Sequence, residues 1–415
     1  MTTIGNSGIH QMLGAIAGHI GARMAIGAVH AAFLLSTGVG LETIANLQII
    51  FSATFLLFNM PLGVMADKYG SKICVVSSII LLICYFLLCL LSPNLIALYM
   101  ASIIYALSLS LIAGADTSLL KKLIEKHRPD DKNFFRDTFY LLEQRISIVN
   151  FACGFGGAIL VYLTNSYEIA YILGVIFAIY SLWQILKITP EESTPRTKCK
   201  EKQPEKKITW ALHNRDDLIY GLLILILTAM MQPIYYFWQP LVIESFKLNA
   251  QFNKEDIALL LGICFGSYTL LKYFFTKNIR KKINSDASAI SITSICLVLS
   301  GVCAVGILLA AIKSEGWLVI LFISLFHSFS SIPFSTFYAE YTSRIPQQQA
   351  ATKSSAISVL GRISSIATLG VISWIGSNDG VIWYFLITIA CAFLALLPYM
   401  IWVSKKGEAY IENQN

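Results

Sequence analysis

A chain of 415 residues with 56% hydrophobic and only 13% charged side chains is too apolar for one or two ordinary water-soluble domains. A bilayer is its expected solvent, and its net charge of +7 is accounted for by the loops rather than by nucleic-acid binding. The nine cysteines show no paired spacing for a metal site or redox couple, with Cys199 alone in the polar centre and the others inside apolar segments, so no metal and no cofactor is expected.

Apolar stretches of about 20 residues, each able to cross roughly 30 Å of hydrocarbon as a helix, recur from end to end. Twelve are predicted, near 12–36, 43–65, 73–92, 95–119, 137–163, 167–187, 217–243, 256–277, 287–311, 316–340, 353–375 and 380–403. The first has no basic residue before Arg23 and is too long for the apolar core of a cleavable signal, so it is read as a retained span. Arg23 lies about ten residues into it, roughly 15 Å deep at 1.5 Å per residue. A permanent charge at that depth is costly and marks either a function or a paired structural site. His19 and His30 are spaced to share a helix face with Arg23. Taken alone, a histidine in a helix is more often a hydrogen-bonded packing residue.

"PLGVMADKYGSK" (61–72) interrupts the apolar run between the second and third spans. Gly63 is expected where two helices approach closely. Gly70 is expected to close the turn with a positive φ, and Lys68 and Lys72 to supply inside charge. Asp67 can accept bonds from a neighbouring helix N-terminus or pair with an arginine, an attachment that is made and broken. Asp116 stands near the inner end of span four. Span five carries Glu143 and Arg145 near its inner end, and its "CGFGG" (153–157) suggests close helix packing; no strand precedes it and no Walker lysine follows, so it is not a phosphate loop.

The long polar stretch 188–216 divides the spans six and six and reads as a solvated linker, with a short interfacial helix expected at Ile208–His213. This gives an N-terminal bundle over 1–187 and a C-terminal bundle over 217–415. Span seven contributes "MQPIYYFWQP" (231–240), with a proline on each side to disturb the helix. Gln232, Tyr235 and Tyr236 are deep enough to meet a solute, whereas Trp238 reads as part of an outer aromatic belt. His327 lies about eleven residues into span ten, at a depth similar to that of Arg23. Glu340 ends that span, and Arg362 lies in span eleven. Asp116 with Arg145, and Glu340 with Arg362, are expected as matching ion pairs, serving either as gate struts or as a proton relay.

With the N-terminus inside, Lys247, Lys254 and Lys313 alone fall outside, Arg23, Arg145 and Arg362 fall within spans, and all other lysines and arginines lie at or beside inside loops. Both termini are therefore expected in the cytoplasm. "QRISIVNFACGF" (144–155) lies over "GRISSIATLGVI" (361–372), so Arg145-Ile146-Ser147 matches Arg362-Ile363-Ser364 at the same depth of the fifth and eleventh spans. Duplication explains this match.

Gly63-x-x-x-Asp67-Lys68-x-Gly70-Ser71-Lys72 resembles the signature loop of the major facilitator superfamily and stands where that family has it. Ser71 departs, since a basic residue is usual there. The equivalent turn "YFFTKNIRKKIN" (273–284) keeps Lys277, Arg280, Lys281 and Lys282 without the glycines and aspartate. "SRIPQQQAATKSSAISVLGRI" (343–363) is similar to the family's loop and eleventh helix. "LSLIAGADTSLLKKLI" (109–124) resembles the end of the fourth helix in multidrug-efflux-like members.

The resemblance implies an all-α membrane fold of twelve helices in two pseudo-symmetric six-helix bundles. It implies a secondary transporter alternating between inward-open and outward-open states, with Asp67 helping to latch the cytoplasmic side in the outward-open one. The family's first, fourth, seventh and tenth helices line the cavity, which would turn Arg23, His19, His30, Gln232, Tyr235, Tyr236 and His327 toward a solute. The mid-membrane charges are basic and no acid sits at comparable depth, so an anionic or carboxylate-bearing solute, siderophore-like or an organic acid, is expected. Proton coupling would fall to Asp116, Glu143 or the histidines. Multidrug efflux by drug/proton antiport is the alternative. A membrane enzyme lacks a catalytic cluster in this sequence, and a non-transporting sensor would more often carry a sizeable cytoplasmic extension. The expected setting is a bacterial inner membrane, with the solute and protons as partners, no nucleic acid, and a monomeric chain.

Overall fold

Apolar side chains on every face, with backbone polar groups satisfied inside each segment, leave the helix as the natural spanning element. The computed structural model describes residues 7–91, 94–127, 132–189, 215–246, 254–280, 286–344, 350–375 and 384–412. The expected interfacial helix at Ile208–His213 lies outside these residues, as do the side chains of Asp67, Lys68, Glu143 and Glu340.

Among the described residues all regular structure is helical: α1 Ser7–Ala25, α2 His30–Ser36, α3 Leu41–Tyr69, α4 Ser71–Leu91, α5 Leu95–Ile112, α6 Ala115–His127, α7 Lys132–Thr164, α8 Glu168–Leu186, α9 Arg215–Ser245, α10 Lys254–Arg280, α11 Asp286–Ile312, α12 Gly316–Arg344, α13 Ala350–Ile375 and α14 Phe385–Glu412. Ten stretches are long and apolar enough to cross a membrane, and two shorter apolar ones, Val359–Trp374 and Phe385–Met400, stand where the last two spans are expected. Ile96, Ile176, Val302 and Leu397 each expose more than half of their surface, which suits a lipid boundary rather than water. Several hydroxyls in the spans turn back on their own helices. Ser110, Thr269, Ser300 and Ser324 donate to the carbonyls of Ala106, Phe265, Cys296 and Ile320 at 2.8–2.9 Å.

Two expected spans are broken. Between α1 and α2 the chain makes a tight turn, with Gly27 N–H on the Met24 carbonyl and His30 N–H on the Ile26 carbonyl, both at 2.8 Å. Ala28 and Val29 in that turn are fully buried, the condition under which irregular backbone is tolerated at membrane depth. Span four ends at Ile112; after Ala113 and Gly114 the polar helix α6 begins, so Asp116 stands in its first turn rather than at the end of an apolar span. The prolines of span seven, by contrast, do not end it, and α9 runs through both Pro233 and Pro240. Gly70, at φ +102°, turns the chain from α3 into α4.

The chain divides into two compact units, one of Met1–His30, Ile50–Ile208 and Lys254–Gly262, the other of Ala31–Ile49, Thr209–Asn253 and Ile263–Asn415. In the first, α1 packs on α7 and α8, and α4 packs on α5 and α8; in the second, α9 packs on α13 and α14, and α11 packs on α12 and α14. Numbered within each half, both units pair first with fifth, first with sixth, third with fourth, and third with sixth. The repeat read from the two Arg-Ile-Ser stretches is thus present in the packing, and Ser364 of the second stretch donates to the Leu225 carbonyl of α9 at 2.7 Å.

Gly157 shows why a glycine-rich stretch belongs in span five. A Cβ there would lie 2.1 Å from the Ala25 carbonyl oxygen, at the very end of α1. Around Gly63, by contrast, nothing among the described residues lies within 4 Å of a Cβ built on it.

Candidate functional site

In the first unit, Arg23 stands in the last turn of α1 and is partly buried. Its Nε donates to the Tyr105 hydroxyl of α5 at 3.1 Å. Tyr105 is in turn stacked on Tyr85 of α4, centroids 4.6 Å apart at 21°, and lies 5.2 Å from Phe51 of α3. Three helices therefore hold the phenol that orients the guanidinium. Among the described residues Arg23 makes no other hydrogen bond or ion pair.

The two histidines expected beside Arg23 are placed differently. His19 is buried, with Nε2 at 3.4 Å from the Ser78 hydroxyl, and Ser108 donates to the Ser78 carbonyl at 2.8 Å. His30 lies beyond the break, so it does not continue the Arg23 face. Its Nδ1 is 2.7 Å from the Tyr171 hydroxyl of α8. The even spacing suggested one face, but a helical face extends only as far as the helix does.

In the second unit, Gln232 and Tyr235 of α9 stand one turn apart, and the Tyr235 ring is 5.3 Å from His327 of α12. His327 stacks on Tyr268 of α10 at 4.3 Å and 22°. Gln232 Oε1 and His327 Nε2 are buried without a hydrogen-bond partner among the described residues. Tyr236 is partly buried and, as the neighbour of Tyr235, points about 100° away around the helix. Trp238 corrects the expectation of an outer belt: it is 3% exposed and packs against Phe265 and Tyr268, centroids 6.3 and 6.0 Å away. Gln239 Oε1 accepts the backbone N–H groups of Ala31 at 2.8 Å and Ala32 at 3.3 Å, satisfying donors that the start of α2 leaves free.

The signature loop has its own contacts in the first unit. Ser71 is buried, donates to the Ser118 hydroxyl at 3.2 Å and accepts from Lys122 Nζ at 3.3 Å. Lys72 Nζ donates to the Ile188 carbonyl just past α8. Asp116 in the first turn of α6, Arg145 in α7 and Arg362 in α13 are all partly buried. A carboxylate suits the positive end of a helix. Among the described residues no three His, Cys, Asp or Glu side chains gather as a metal site.

Sequence reasoning missed Tyr105, Tyr85, Phe51 and Tyr268. For Tyr105 a signal existed: it stands about ten residues into span four, the same depth as Arg23 in span one.

A family description, Major Facilitator Superfamily, matches residues 12–369. The chain belongs to that superfamily. No curated protein sequence matches it. Among solved structures, a crystal structure of the nucleoside transporter NupG is similar at a TM-score of 0.67 and 13% identity, covering 96% of this chain and 98% of that one. A bacterial homologue of the iron transporter ferroportin, in an inward-facing state, is similar at 0.69 and 13%, covering 95% and 98%. At that identity the likeness speaks for the fold. This superfamily member is an integral multi-pass membrane protein and a transporter of small solutes, not an enzyme.

Proposed function

We propose that this carrier moves a small anionic organic solute, carboxylate-bearing and either siderophore-like or an organic acid, by proton-coupled alternating access. The setting is a bacterial inner membrane, with both termini cytoplasmic and a monomeric chain whose bundles, 1–187 and 217–415, are joined by the linker 188–216. The observation that carries the reading is Arg23. It holds a permanent charge deep in a helix bundle, fixed through one nitrogen by a phenol and left with donors in the fork geometry that suits a carboxylate. Symport or antiport would use protons held by Asp116, Glu143 or a histidine. Ion pairs of Asp116 with Arg145 and of Glu340 with Arg362 would act at the gates, and Asp67 would latch the cytoplasmic side.

Uptake of radiolabelled citrate and other carboxylates into proteoliposomes, with and without an imposed pH gradient, tests this. Flux that follows the gradient and collapses in Arg23→Ala supports the reading, and unchanged anion flux in the variant removes Arg23 from it. For the latch, Asp67→Asn should slow turnover while leaving affinity near normal; lost affinity with normal turnover contradicts that role.

A second reading, drug/proton antiport, is favoured by the aromatic cluster of Tyr235, Trp238, Phe265 and Tyr268. It expects broader drug susceptibility on gene deletion and little dependence on Arg23.

A further inference from the structure

The second unit contains buried polar atoms with no partner among the described residues. Gln232 is 7% exposed and His327 3% exposed, yet among the described residues neither Gln232 Oε1 nor His327 Nε2 has a hydrogen-bond partner. Ser330, one turn along α12 from His327, is a third such group. Neighbouring polar side chains are satisfied: Ser267 and Ser324 meet at 2.9 Å, and Ser328 and Ser331 donate to the carbonyls of Ser324 and Ser328 at 2.9 Å. A serine hydroxyl reaches its own helix backbone, whereas an amide oxygen or a ring nitrogen needs a partner from elsewhere. Buried polar groups without partners are uncommon, and two on helices bridged by one ring contact call for a shared explanation.

The shapes around these atoms narrow what would satisfy them. Tyr235 follows Gln232 by one turn, is 45% exposed, and has its ring 5.3 Å from His327. His327 is backed by Tyr268, stacked at 4.3 Å. The exposed tyrosine face favours a flat guest. Gln232 Oε1 only accepts, so the guest must donate. His327 Nε2 donates or accepts according to its tautomer, so it tolerates either group. Lys272, one turn beyond Tyr268 on α10, brings positive charge to the same helix face and disfavours a cationic guest.

We infer that Gln232, Tyr235, Tyr268 and His327 form a subsite for a planar, uncharged ring bearing an N–H donor. The subsite rests on the transport reading of these helices and specifies a part of the solute distinct from any anionic group. Tyr268 is its positioning residue, holding the imidazole plane against which the ring is read.

Three small lactams test it on the purified full-length carrier in lipid nanodiscs, with binding followed by ligand-observed NMR. 2-Pyridone is flat and carries the N–H, N-methyl-2-pyridone is flat without it, and 2-piperidone carries it without the flat ring. The expected order places 2-pyridone about tenfold tighter than either analogue. Gln232→Leu should erase the advantage over the N-methyl compound, and Tyr268→Leu the advantage over 2-piperidone. Equal binding of the three, no binding of any, or a preference that survives both substitutions overturns the subsite. Because all three probes are uncharged, the result is independent of the anion reading, which stands or falls on carboxylate flux.

Discussion

In the first unit a guanidinium meets a phenol; at the matching place in the second, a phenol meets an imidazole. Both contacts join the first and fourth helices of a repeat, Arg23 of α1 with Tyr105 of α5 and Tyr235 of α9 with His327 of α12. In both a ring from the second helix lies against the fourth: Phe51 against Tyr105 at 5.2 Å, and Tyr268 against His327 at 4.3 Å. The helix pairings that the two halves share place these three side chains on the same three helices of each repeat. Chemistry at the meeting point is then free to diverge. At its meeting point the first unit has a fixed charge already oriented by a protein partner, and the second has a ring nitrogen that lacks one among the described residues.

The largest effect expected from breaking this contrast is on Arg23. Arg23→Ala removes a charged hydrogen-bonding group worth about 1.5–3 kcal/mol, so carboxylate uptake in proteoliposomes should fall about tenfold to a hundredfold. Arg23→Lys should recover part of it, because the charge returns without the fork. Equal losses from Arg23→Ala with neutral and anionic solutes would erase the distinction between the units.

Next in size is a packing change. By the same register that aligns Arg145 with Arg362, Gly157 corresponds to Trp374, which is 86% exposed. Gly157→Ala forces a methyl group against the Ala25 carbonyl and should destabilise the purified carrier by about 1–3 kcal/mol. Trp374→Ala should stay within about 0.5 kcal/mol. Thermal unfolding in detergent distinguishes them.

Tyr105→Phe sharpens the contrast more gently. It keeps the stack on Tyr85 and loses only the bond to Arg23, so KM for the carboxylate should rise about fivefold, near 1 kcal/mol, with kcat little changed. A change in kcat alone would mean that Tyr105 does not position Arg23.

What could be read in advance follows from how each feature is encoded. The spans, the turn at Gly70 and the repeat are local patterns of hydropathy or spacing, and the structure contains them. The break after Ala25 is not local. Ile26, Ala28 and Val29 are as apolar as any helical run, and their turn depends on being buried by neighbouring helices. Tyr268 gave no signal of its own either, and Tyr105 only its depth, because an aromatic in an apolar helix looks the same whether it fills a core or braces a site. The partner that distinguishes Tyr105 is 82 positions away. Trp238 misled for the same reason: its place near a proline and a span end suggested an interface, and only packing shows it inside.

The smallest expected effects concern the bonds that tie each unit's first helix in place. Ser181 of α8 donates to the Ala15 carbonyl of α1 at 2.6 Å, and Ser364 of α13 to the Leu225 carbonyl of α9 at 2.7 Å. Interhelical bonds of this kind average about 0.6 kcal/mol in membrane proteins, since the freed hydroxyl and carbonyl find other partners. Ser181→Ala and Ser364→Ala should each lower stability by about that amount. The two serines share no partner and belong to different units, so the double variant should equal the sum of the singles within about 0.5 kcal/mol. A larger departure would mean that loosening the first helix of one unit is felt in the other. The units would then be energetically coupled, and the contrast between their two meeting points would no longer be one between independent halves.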